Sequence, residues 1–313
     1  MTLMMTMNDI FDIIIIGGGA AGMSAAIYAA RGGMKTLLLE SVSYGGQALK
    51  TYEVDNYPGI DDKPTGAQLS ERIERHARKF GAQFSTEKVR SIEDADKALK
   101  TVRTRRNEYK TRTIIFATGA HPKKLGVSGE LELSGAGVSY CATCDGAFFK
   151  GKEVAVVGGG NTAFEDALYL ARMCTNVYII NRSDKFRAVP VLVEQAKNTP
   201  NITIYNNSVC DSFEGTGALE RIYLVKDGER GFINVSGVII AIGVEPETAL
   251  AKSCRVETCE LGFIKTDIYL ATNINGIFAA GDCRTTPLRQ VITAAADGAV
   301  AATSAVNYCL KNK

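Results

Sequence analysis

Two short apolar runs, separated by a glycine-rich turn and an alanine-rich segment, open the chain. The first run covers residues 12–16, the glycines fall within residues 17–22, and the alanine-rich segment follows at residues 23–31. Short runs of β-branched residues are typical of buried strands, whereas the longer alanine-rich segment favours a helix. A second apolar run at residues 36–39 ends in Glu40. The pattern predicts a strand, a tight turn, a helix and a second strand.

The same succession returns 141 residues later, counted from Gly17 to Gly158. An apolar run at residues 154–157 precedes the second glycine turn, and the pattern after it predicts a helix at residues 164–173 and a strand at residues 177–180. Internal repetition of one strand–turn–helix–strand unit indicates an α/β fold in which parallel strands alternate with helices.

Each glycine turn fits the G-x-G-x-x-G fingerprint of a dinucleotide-binding loop. The first glycine permits the turn, the second lets a pyrophosphate approach the backbone, and the following helix presents free N–H groups. Alanine in the third place of the second copy still lets the helix pack closely on the strand. The candidate cofactor-binding residues are Gly17, Gly19, Ala20, Ala21 and Gly22 in the first copy and Gly158, Gly160, Asn161, Thr162 and Ala163 in the second. A purely structural turn is the alternative.

The residues at the ends of the two second strands predict different ligands. Glu40 can accept hydrogen bonds from a ribose 2′-hydroxyl but would repel a 2′-phosphate, so the first site suits FAD or NAD. The equivalent residue of the second copy is the neutral Asn181, and Arg182 and Arg187 follow it. Because a guanidinium group matches phosphate oxygens, the second site favours NADPH. Two solvated surface arginines are the alternative interpretation.

Two further apolar strands, at residues 113–116 and 238–242, flank the second copy and are each followed by small residues. We interpret the segments after them as crossovers between two domains. The fold class is therefore predicted to be α/β, with two Rossmann-like FAD/NAD(P)-binding domains, the second inserted in the first. The predicted domains are residues 1–117 with 246–313 for FAD and residues 118–245 for NAD(P)H.

Composition and charge exclude several classes of protein. Of the 313 residues, 46% are hydrophobic and 22% are charged, and Lys+Arg 36 against Asp+Glu 34 gives a net charge of +2. This balance is that of a globular protein and implies neither disorder nor a polybasic surface for nucleic acid. Residues 83–112 are charged and alternating, which predicts a small exposed antiparallel sheet.

No targeting or membrane segment is evident in the sequence. The apolar runs are far shorter than the ~20 residues of a membrane helix. Residues 1–9 lack the basic region and apolar core of a secretory signal. We therefore expect a soluble, cytoplasmic protein, in which the eight cysteines form no structural disulfide framework.

The closely spaced pair Cys141 and Cys144 is the strongest candidate for chemistry. Two intervening residues let the sulfurs meet with little strain, and local dipoles can stabilise a thiolate there, which favours a redox dithiol. Half of a zinc site is the alternative, but the chain offers poor further ligands because it has two histidines, His76 and His121. Asp145 can either cap the turn or exchange protons with the thiolate. The remaining cysteines are expected to be packing residues.

The segment Cys141-Ala142-Thr143-Cys144-Asp145-Gly146 is the redox-active signature of the low-molecular-weight, bacterial-type thioredoxin reductases, and the chain resembles that family along essentially its whole length. Residues 45–47, 53–59 and 276–282 carry the resemblance further. It implies that further residues surround FAD, namely Gly45, Gly46, Gln47, Asn56, Gly281, Asp282, Arg289, Gln290 and Val291.

The resemblance also implies a mechanism. Hydride passes from NADPH to FAD, the reduced flavin reduces the Cys141–Cys144 disulfide, and the dithiol exchanges with the disulfide of thioredoxin or a thioredoxin-like protein. In such proteins Cys144 is the sulfur next to the flavin, Cys141 attacks the protein substrate and Asp145 supplies protons. A homodimer is implied as well.

One departure from the family pattern leaves the electron donor open. The family's phosphate clamp reads His-Arg-Arg with another arginine four residues on, whereas this chain has Asn181-Arg182-Ser183 and then Arg187. With one basic contact missing, the same flavin and disulfide chemistry could be driven by NADH or by reduced ferredoxin. A non-catalytic redox-sensing or zinc-stabilised module is the third interpretation.

Overall fold

The computed structural model describes residues 10–51 and 53–312, so residues 1–9, in which we found no secretory signal, lie outside the described part. In chain order the strands are β1 (Ile10–Ile16), β2 (Thr36–Glu40), β3 (Gln83–Thr86), β4 (Ser91–Glu93), β5 (Lys100–Arg103), β6 (Glu108–Phe116), β7 (Ala120–Pro122), β8 (Val138–Ser139), β9 (Glu153–Val157), β10 (Asn176–Ile180), β11 (Ile202–Tyr205), β12 (Ser208–Glu214), β13 (Arg221–Lys226), β14 (Glu229–Asn234), β15 (Gly237–Ile240), β16 (Val244–Pro246) and β17 (Ile277–Ala279). The α-helices are α1 (Ala20–Arg31), α2 (Gly66–Lys79), α3 (Ala142–Asp145), α4 (Asn161–Leu170), α5 (Pro190–Lys197), α6 (Ala249–Ser253) and α7 (Val291–Lys311). Short 3₁₀ helices cover Gly46–Lys50, Gly146–Phe149 and Gly281–Cys283.

The chain divides into two compact units at two crossings. The first unit comprises Met1–His121 and Glu245–Lys313, and the second is Pro122–Val244. These divisions lie four residues after and one residue before the boundaries proposed from the sequence. Backbone hydrogen bonds secure each end of the crossings: the Glu247 N–H donates to the Gly119 carbonyl within the first unit, and the Lys123 N–H donates to the Gly243 carbonyl within the second.

The sheet of the first unit is built around β1. Its strands run in the order β3-β2-β1-β6-β5-β4, with β17 pairing beside the end of β6. β1 is parallel to both β2 and β6, and its apolar residues Ile13, Ile14 and Ile15 are completely buried. A strand covered on both faces reads as a continuous apolar run rather than an alternating one, which explains the pattern at residues 12–16.

The expectation of a small exposed antiparallel sheet at residues 83–112 is wrong in two respects. β3 pairs in parallel with β2, and β4 and β5, although antiparallel, extend the main sheet through β6. Lys100 is fully buried because its ammonium group donates to the carbonyls of Lys97 at 2.9 Å and Arg112 at 3.2 Å. The charged segment therefore contains a buried strand, and backbone carbonyl oxygens accept the hydrogen bonds of its lysine.

Helices α1 and α7 pack closely on the same face of this sheet. The two helices touch at Gly298, where an added Cβ would lie 2.1 Å from the Ala21 carbonyl oxygen. Alanines of α1 and α7 share one buried cluster with Ile13, Ile15 and Leu38. Small residues thus let α7, which extends to Lys311, approach α1 backbone to backbone.

The second unit repeats the parallel arrangement. Its main sheet runs in the order β11-β10-β9-β15-β8, and β12, β13 and β14 form a separate antiparallel sheet. Helices α4 and α5 cover one face of the main sheet, and residues of β12 and β13 pack on the other. The predicted α/β class with two Rossmann-like units is confirmed. Among the described helices, none has both the length and the apolar composition needed to cross a membrane.

Candidate functional site

The first glycine loop is folded so tightly that two of its glycines admit no side chain. Gly17 has φ +110°, and its N–H donates to the Leu39 carbonyl at 2.9 Å. A Cβ added to Gly22 would lie 1.9 Å from the Gly17 carbonyl oxygen. The first and last glycines of the fingerprint therefore fix the turn and the contact of α1 with the loop.

The carboxylate of Glu40 closes this loop from the end of β2. Its Oε2 accepts the Gly18 N–H at 2.7 Å, and its Oε1 accepts the N–H groups of Ser41 at 2.6 Å and Val42 at 3.0 Å. The acid therefore braces the protein's own backbone at the position where a ribose would lie.

The middle of the loop is open at Gly19, the N-cap residue that precedes α1. The nearest described heavy atom to an added Cβ on Gly19 is the Gly46 Cα at 4.0 Å, and no side chain of the described residues caps the helix. Gly45 lies alongside, because its N–H donates to the Gly18 carbonyl at 2.7 Å. Ala20 is the first residue of α1, and Gln47 lies exposed in the 3₁₀ helix Gly46–Lys50.

Among the C-terminal candidates, Gly281 lies next to the first glycine loop, and Gln290 contacts Asn56. A Cβ on Gly281 would lie 2.8 Å from the Ala21 Cβ, so this turn adjoins the start of α1. The Asn56 side chain donates to Gln290 Oε1 at 3.2 Å, and Val291 opens α7. Sequence reasoning missed the brace of this turn: Asp297 accepts the Gly281 N–H at 3.0 Å and two hydrogen bonds from Arg284.

Two charged side chains of this region, Asp282 and Arg289, are half-buried. Burial raises the pKa of Asp282 to about 6, although the nearby charge of Arg289 opposes the shift. The Nε atom of Arg289 is buried and has no hydrogen-bond partner within the described residues, and its guanidinium group lies 4.2 Å from the centre of the Phe263 ring. Buried polar atoms normally have partners. The open Gly19, Asp282 and Arg289 Nε therefore fit a polar ligand with a diphosphate and hydroxyl groups, as in a flavin dinucleotide.

The second glycine loop has the same build in the second unit. A Cβ on Gly158 would lie 2.5 Å from the Ala241 carbonyl oxygen, whereas one on Gly160 would meet no atom of residues 10–51 and 53–312 within 4 Å. Asn161 and Thr162 are exposed at the start of α4, and the Asn161 side chain accepts the Val189 N–H at 2.8 Å. Ala163 is completely buried against the sheet, as its place in the fingerprint predicts.

A basic loop lies next to the Gly158–Ala163 turn. Asn181 is buried, and its Nδ2 donates to the carbonyls of Ser183 at 2.8 Å and Lys185 at 3.1 Å. The loop returns to the turn through the Arg187 N–H, which donates to the Gly159 carbonyl at 2.7 Å. The side chains of Arg182, Lys185 and Arg187 are exposed. Lys185 was missed in the sequence because only arginines were considered as phosphate ligands.

Cys141 and Cys144 form a disulfide at the start of α3. The Cys144 N–H donates to the Cys141 sulfur, with 3.1 Å between nitrogen and sulfur. Asp145 ends α3, and burial raises the pKa of its carboxyl group while a hydrogen bond from Ser139 lowers it. An amide dipole at one sulfur and a partly desolvated carboxyl group beside the pair suit thiol–disulfide exchange with proton transfer.

The other cysteines do not extend this site. Cys174, Cys210, Cys254, Cys259, Cys283 and Cys309 are free thiols. Burial raises the pKa of Cys283, which hydrogen-bonds to the carbonyls of Phe116 and Ala280. Within residues 10–51 and 53–312, no group of three or more His, Cys, Asp and Glu side chains is arranged to hold a metal ion.

Comparisons with known proteins agree along almost the whole chain. Residues 11–298 match the sequence profile described as pyridine nucleotide-disulphide oxidoreductase. The chain is 42% identical over 314 residues to a thioredoxin reductase of Peptoclostridium acidaminophilum, covering 98% of this chain and 99% of that protein. It is 43% identical over 307 residues to the thioredoxin reductase of Bacillus subtilis strain 168, covering 97% and 96%.

A solved structure is similar in fold as well as in sequence. The crystal structure of thioredoxin reductase from Streptococcus pyogenes MGAS5005 superposes with a TM-score of 0.92 at 36% identity, and the match covers 98% of this chain and 100% of that one. The chain therefore belongs to the pyridine nucleotide-disulphide oxidoreductase family and, within it, to the thioredoxin reductases of the low-molecular-weight, bacterial type.

Proposed function

We propose that this protein passes electrons from NADPH through FAD and the Cys141–Cys144 disulfide to thioredoxin. The observation that carries the proposal is the disulfide itself, which lies beside the partly buried Asp145 in a chain with two dinucleotide-binding loops. Family membership implies a flavin and a nicotinamide cofactor. The names of the relatives support thioredoxin as the electron acceptor.

FAD is the flavin that the first unit fits. Glu40 favours a ribose that carries no 2′-phosphate, and the open Gly19 leaves room for a diphosphate at the start of α1. Asp282 and Arg289 would hold polar groups of the same ligand. A flavin bound here supplies two-electron transfer between a nicotinamide and a disulfide.

NADPH is the nucleotide that the second unit favours. The neutral Asn181 replaces the acid found at the equivalent position of the first unit, and Arg182, Lys185 and Arg187 present three exposed positive charges on the following loop. Cations at this position favour a 2′-phosphate. Lys185 would partly compensate for the clamp arginine that Ser183 replaces. The resulting preference for NADPH over NADH is expected to be smaller than with a complete clamp.

The Arg187→Ala variant tests this preference. Its KM for NADPH is expected to rise about ten- to a hundredfold, because a hydrogen bond to a charged group contributes roughly 1.5–3 kcal/mol, while its KM for NADH stays nearly constant. Steady-state kinetics with both nucleotides measure the ratio. Lys226→Ala, which removes an exposed charge elsewhere in the unit, should alter neither value. Equal increases for both nucleotides in Arg187→Ala would remove the argument for a phosphate clamp.

The two cysteines have different proposed roles. The Cys144 N–H aimed at the Cys141 sulfur would stabilise a thiolate on Cys141 once the disulfide is reduced. This supports Cys141 as the sulfur that attacks the disulfide of thioredoxin and Cys144 as the sulfur that resolves the mixed disulfide. Asp145 would hold the exchanged proton on its carboxyl group.

Comparison of electron donors tests the proposed function directly. In anaerobic stopped-flow mixing, NADPH should bleach the flavin absorption of the purified protein faster than NADH, and oxidised thioredoxin should then restore it. If reduced ferredoxin alone bleached the flavin, the donor would be ferredoxin and the proposal would be wrong. A protein without flavin absorption would instead favour a non-catalytic redox-sensing module.

Location and assembly complete the proposal. Six free cysteines beside one redox-active pair are typical of a reducing compartment, which supports the cytoplasm. We also propose a homodimer, as the family resemblance implies. Size-exclusion chromatography with light scattering measures that state.

A further inference from the structure

Ser139 connects the two ends of the redox-active turn. This buried residue lies on β8, where it pairs with Ile239 of β15, two residues before Cys141. Its hydroxyl group donates to Asp145 Oδ2 at 2.5 Å and accepts the Cys141 N–H at 3.1 Å. A second acceptor, the Cys141 carbonyl oxygen, lies farther from the hydroxyl at 3.4 Å, so its single proton is directed to Asp145.

Burial and the Ser139 hydroxyl group act on the pKa of Asp145 in opposite directions. Burial raises the pKa of Asp145, and the hydrogen bond from Ser139 is the interaction that lowers it. Helix α4 packs beside α3 and carries the titratable residues Glu165, Asp166 and Tyr169, but none of the three contributes to the shift of Asp145. The Tyr140 hydroxyl is directed elsewhere, to Glu130 at 2.8 Å.

We propose that Ser139 is a positioning residue, which holds the carboxyl group of Asp145 beside the Cys141 backbone amide for proton transfer during thiol–disulfide exchange. The inference rests on the proposed function, in which Asp145 carries protons. Ser139 contacts Asp145 and the Cys141 backbone amide, so it acts through these groups rather than on the substrate. Strand pairing fixes its backbone, which makes the hydroxyl a rigid support.

The exchange can then be written with its protons balanced. The Cys141 thiolate attacks the substrate disulfide, a Cys141–substrate bond forms, the substrate bond breaks, and the departing sulfur takes the proton held on Asp145. The ionised Asp145, stabilised by Ser139, removes the proton from the Cys144 thiol. The Cys144 thiolate attacks Cys141, re-forms the intramolecular disulfide and displaces the second substrate sulfur, which takes that proton from Asp145. Two thiols are oxidised and two are formed.

The Ser139→Ala variant tests the proposal in the flavin-loaded protein. Loss of a hydrogen bond to a charged group should raise the pKa of Asp145 by about one to two units. Isotope-edited infrared titration measures this pKa, with Asp145→Asn identifying the carboxyl band. The pH dependence of thioredoxin reduction contains a limb that depends on Asp145. The apparent pKa of this limb should rise by the same amount. Ser139→Thr keeps the hydroxyl group and should restore both values.

Two comparisons are needed. One distinguishes the role of Ser139 from a general disturbance of the local structure, and the other distinguishes it from failure of the proposed function. Tyr140→Phe removes the neighbouring hydroxyl, which bonds to Glu130, and should leave the titration of Asp145 unchanged. Flavin reduction by NADPH should be the same in Ser139→Ala as in the unaltered protein, since it precedes the exchange. An unshifted Asp145 titration in Ser139→Ala, or an equal shift in Tyr140→Phe, overturns the proposal. A flavin that NADPH cannot reduce contradicts the proposed function and leaves the infrared result standing.

Discussion

In the Cys144→Ser variant, NADPH should still reduce the flavin, yet nearly all thioredoxin-dependent turnover should be lost. The remaining Cys141 cannot form the intramolecular disulfide recorded here, so electrons on the flavin have no route to the substrate. Anaerobic stopped-flow absorbance measures flavin reduction, and a coupled assay of thioredoxin reduction measures turnover. The separation of the two half-reactions is the expected signature.

Cys259→Ser is the matched control for this variant. Cys259 is a partly exposed free cysteine of the first unit, and its replacement should leave both half-reactions unaltered. Full turnover in Cys144→Ser would contradict the assignment of the redox pair, and a fall in flavin reduction would indicate damage to the cofactor site.

Two alanine substitutions should each weaken the binding of one cofactor while leaving the fold intact. Gly19 and Gly160 have negative φ values and open space where a Cβ would lie, so the chain tolerates alanine at both positions. A methyl group there would occupy the approach of a diphosphate and cost about 1–3 kcal/mol, or about ten- to a hundredfold in affinity. Gly19→Ala should lose flavin during gel filtration. Gly160→Ala should keep flavin and bind NADPH weakly.

Thermal unfolding of the flavin-free proteins provides the control. If the variants unfold at the same temperature as the unaltered protein, the loss of cofactor affinity comes from contact of the added methyl group with the cofactor. Gly231→Ala, at another open glycine in β14, should change neither flavin content nor nucleotide affinity. Flavin loss in Gly160→Ala, or retention of normal affinity in both variants, would show that the two loops do not divide the cofactors as proposed.

The elements around the two glycine loops were predictable because local chemistry determines them. Residues 13–16 are buried and Gly17 needs a positive φ, so both features could be predicted from the sequence pattern. Residues 83–112 were misjudged because the burial of Lys100 depends on two carbonyls, one of them from Arg112, which pattern analysis does not bring together.

The candidate site was predictable only where a motif spans it. Cys141, Cys144 and Asp145 lie within five consecutive residues, whereas the functions of Ser139 and Asp297 depend on where their side chains point. Serine and aspartate occur throughout loops and turns, and therefore their presence in the sequence predicts no particular partner. Lys185 lies between Arg182 and Arg187 in the sequence, but its place beside the Gly158–Ala163 turn depends on the return of the loop to Gly159.

The inserted arrangement has a consequence for how the chain is made. Strand β17, which pairs with β6, and helix α7, which packs on α1, both follow the whole second unit in the sequence. A ribosome therefore completes residues 122–244 while β6 and α1 still expose the apolar faces that the late elements cover. Until residues 245–313 follow, these exposed apolar faces make the early half of the first unit prone to aggregation during translation.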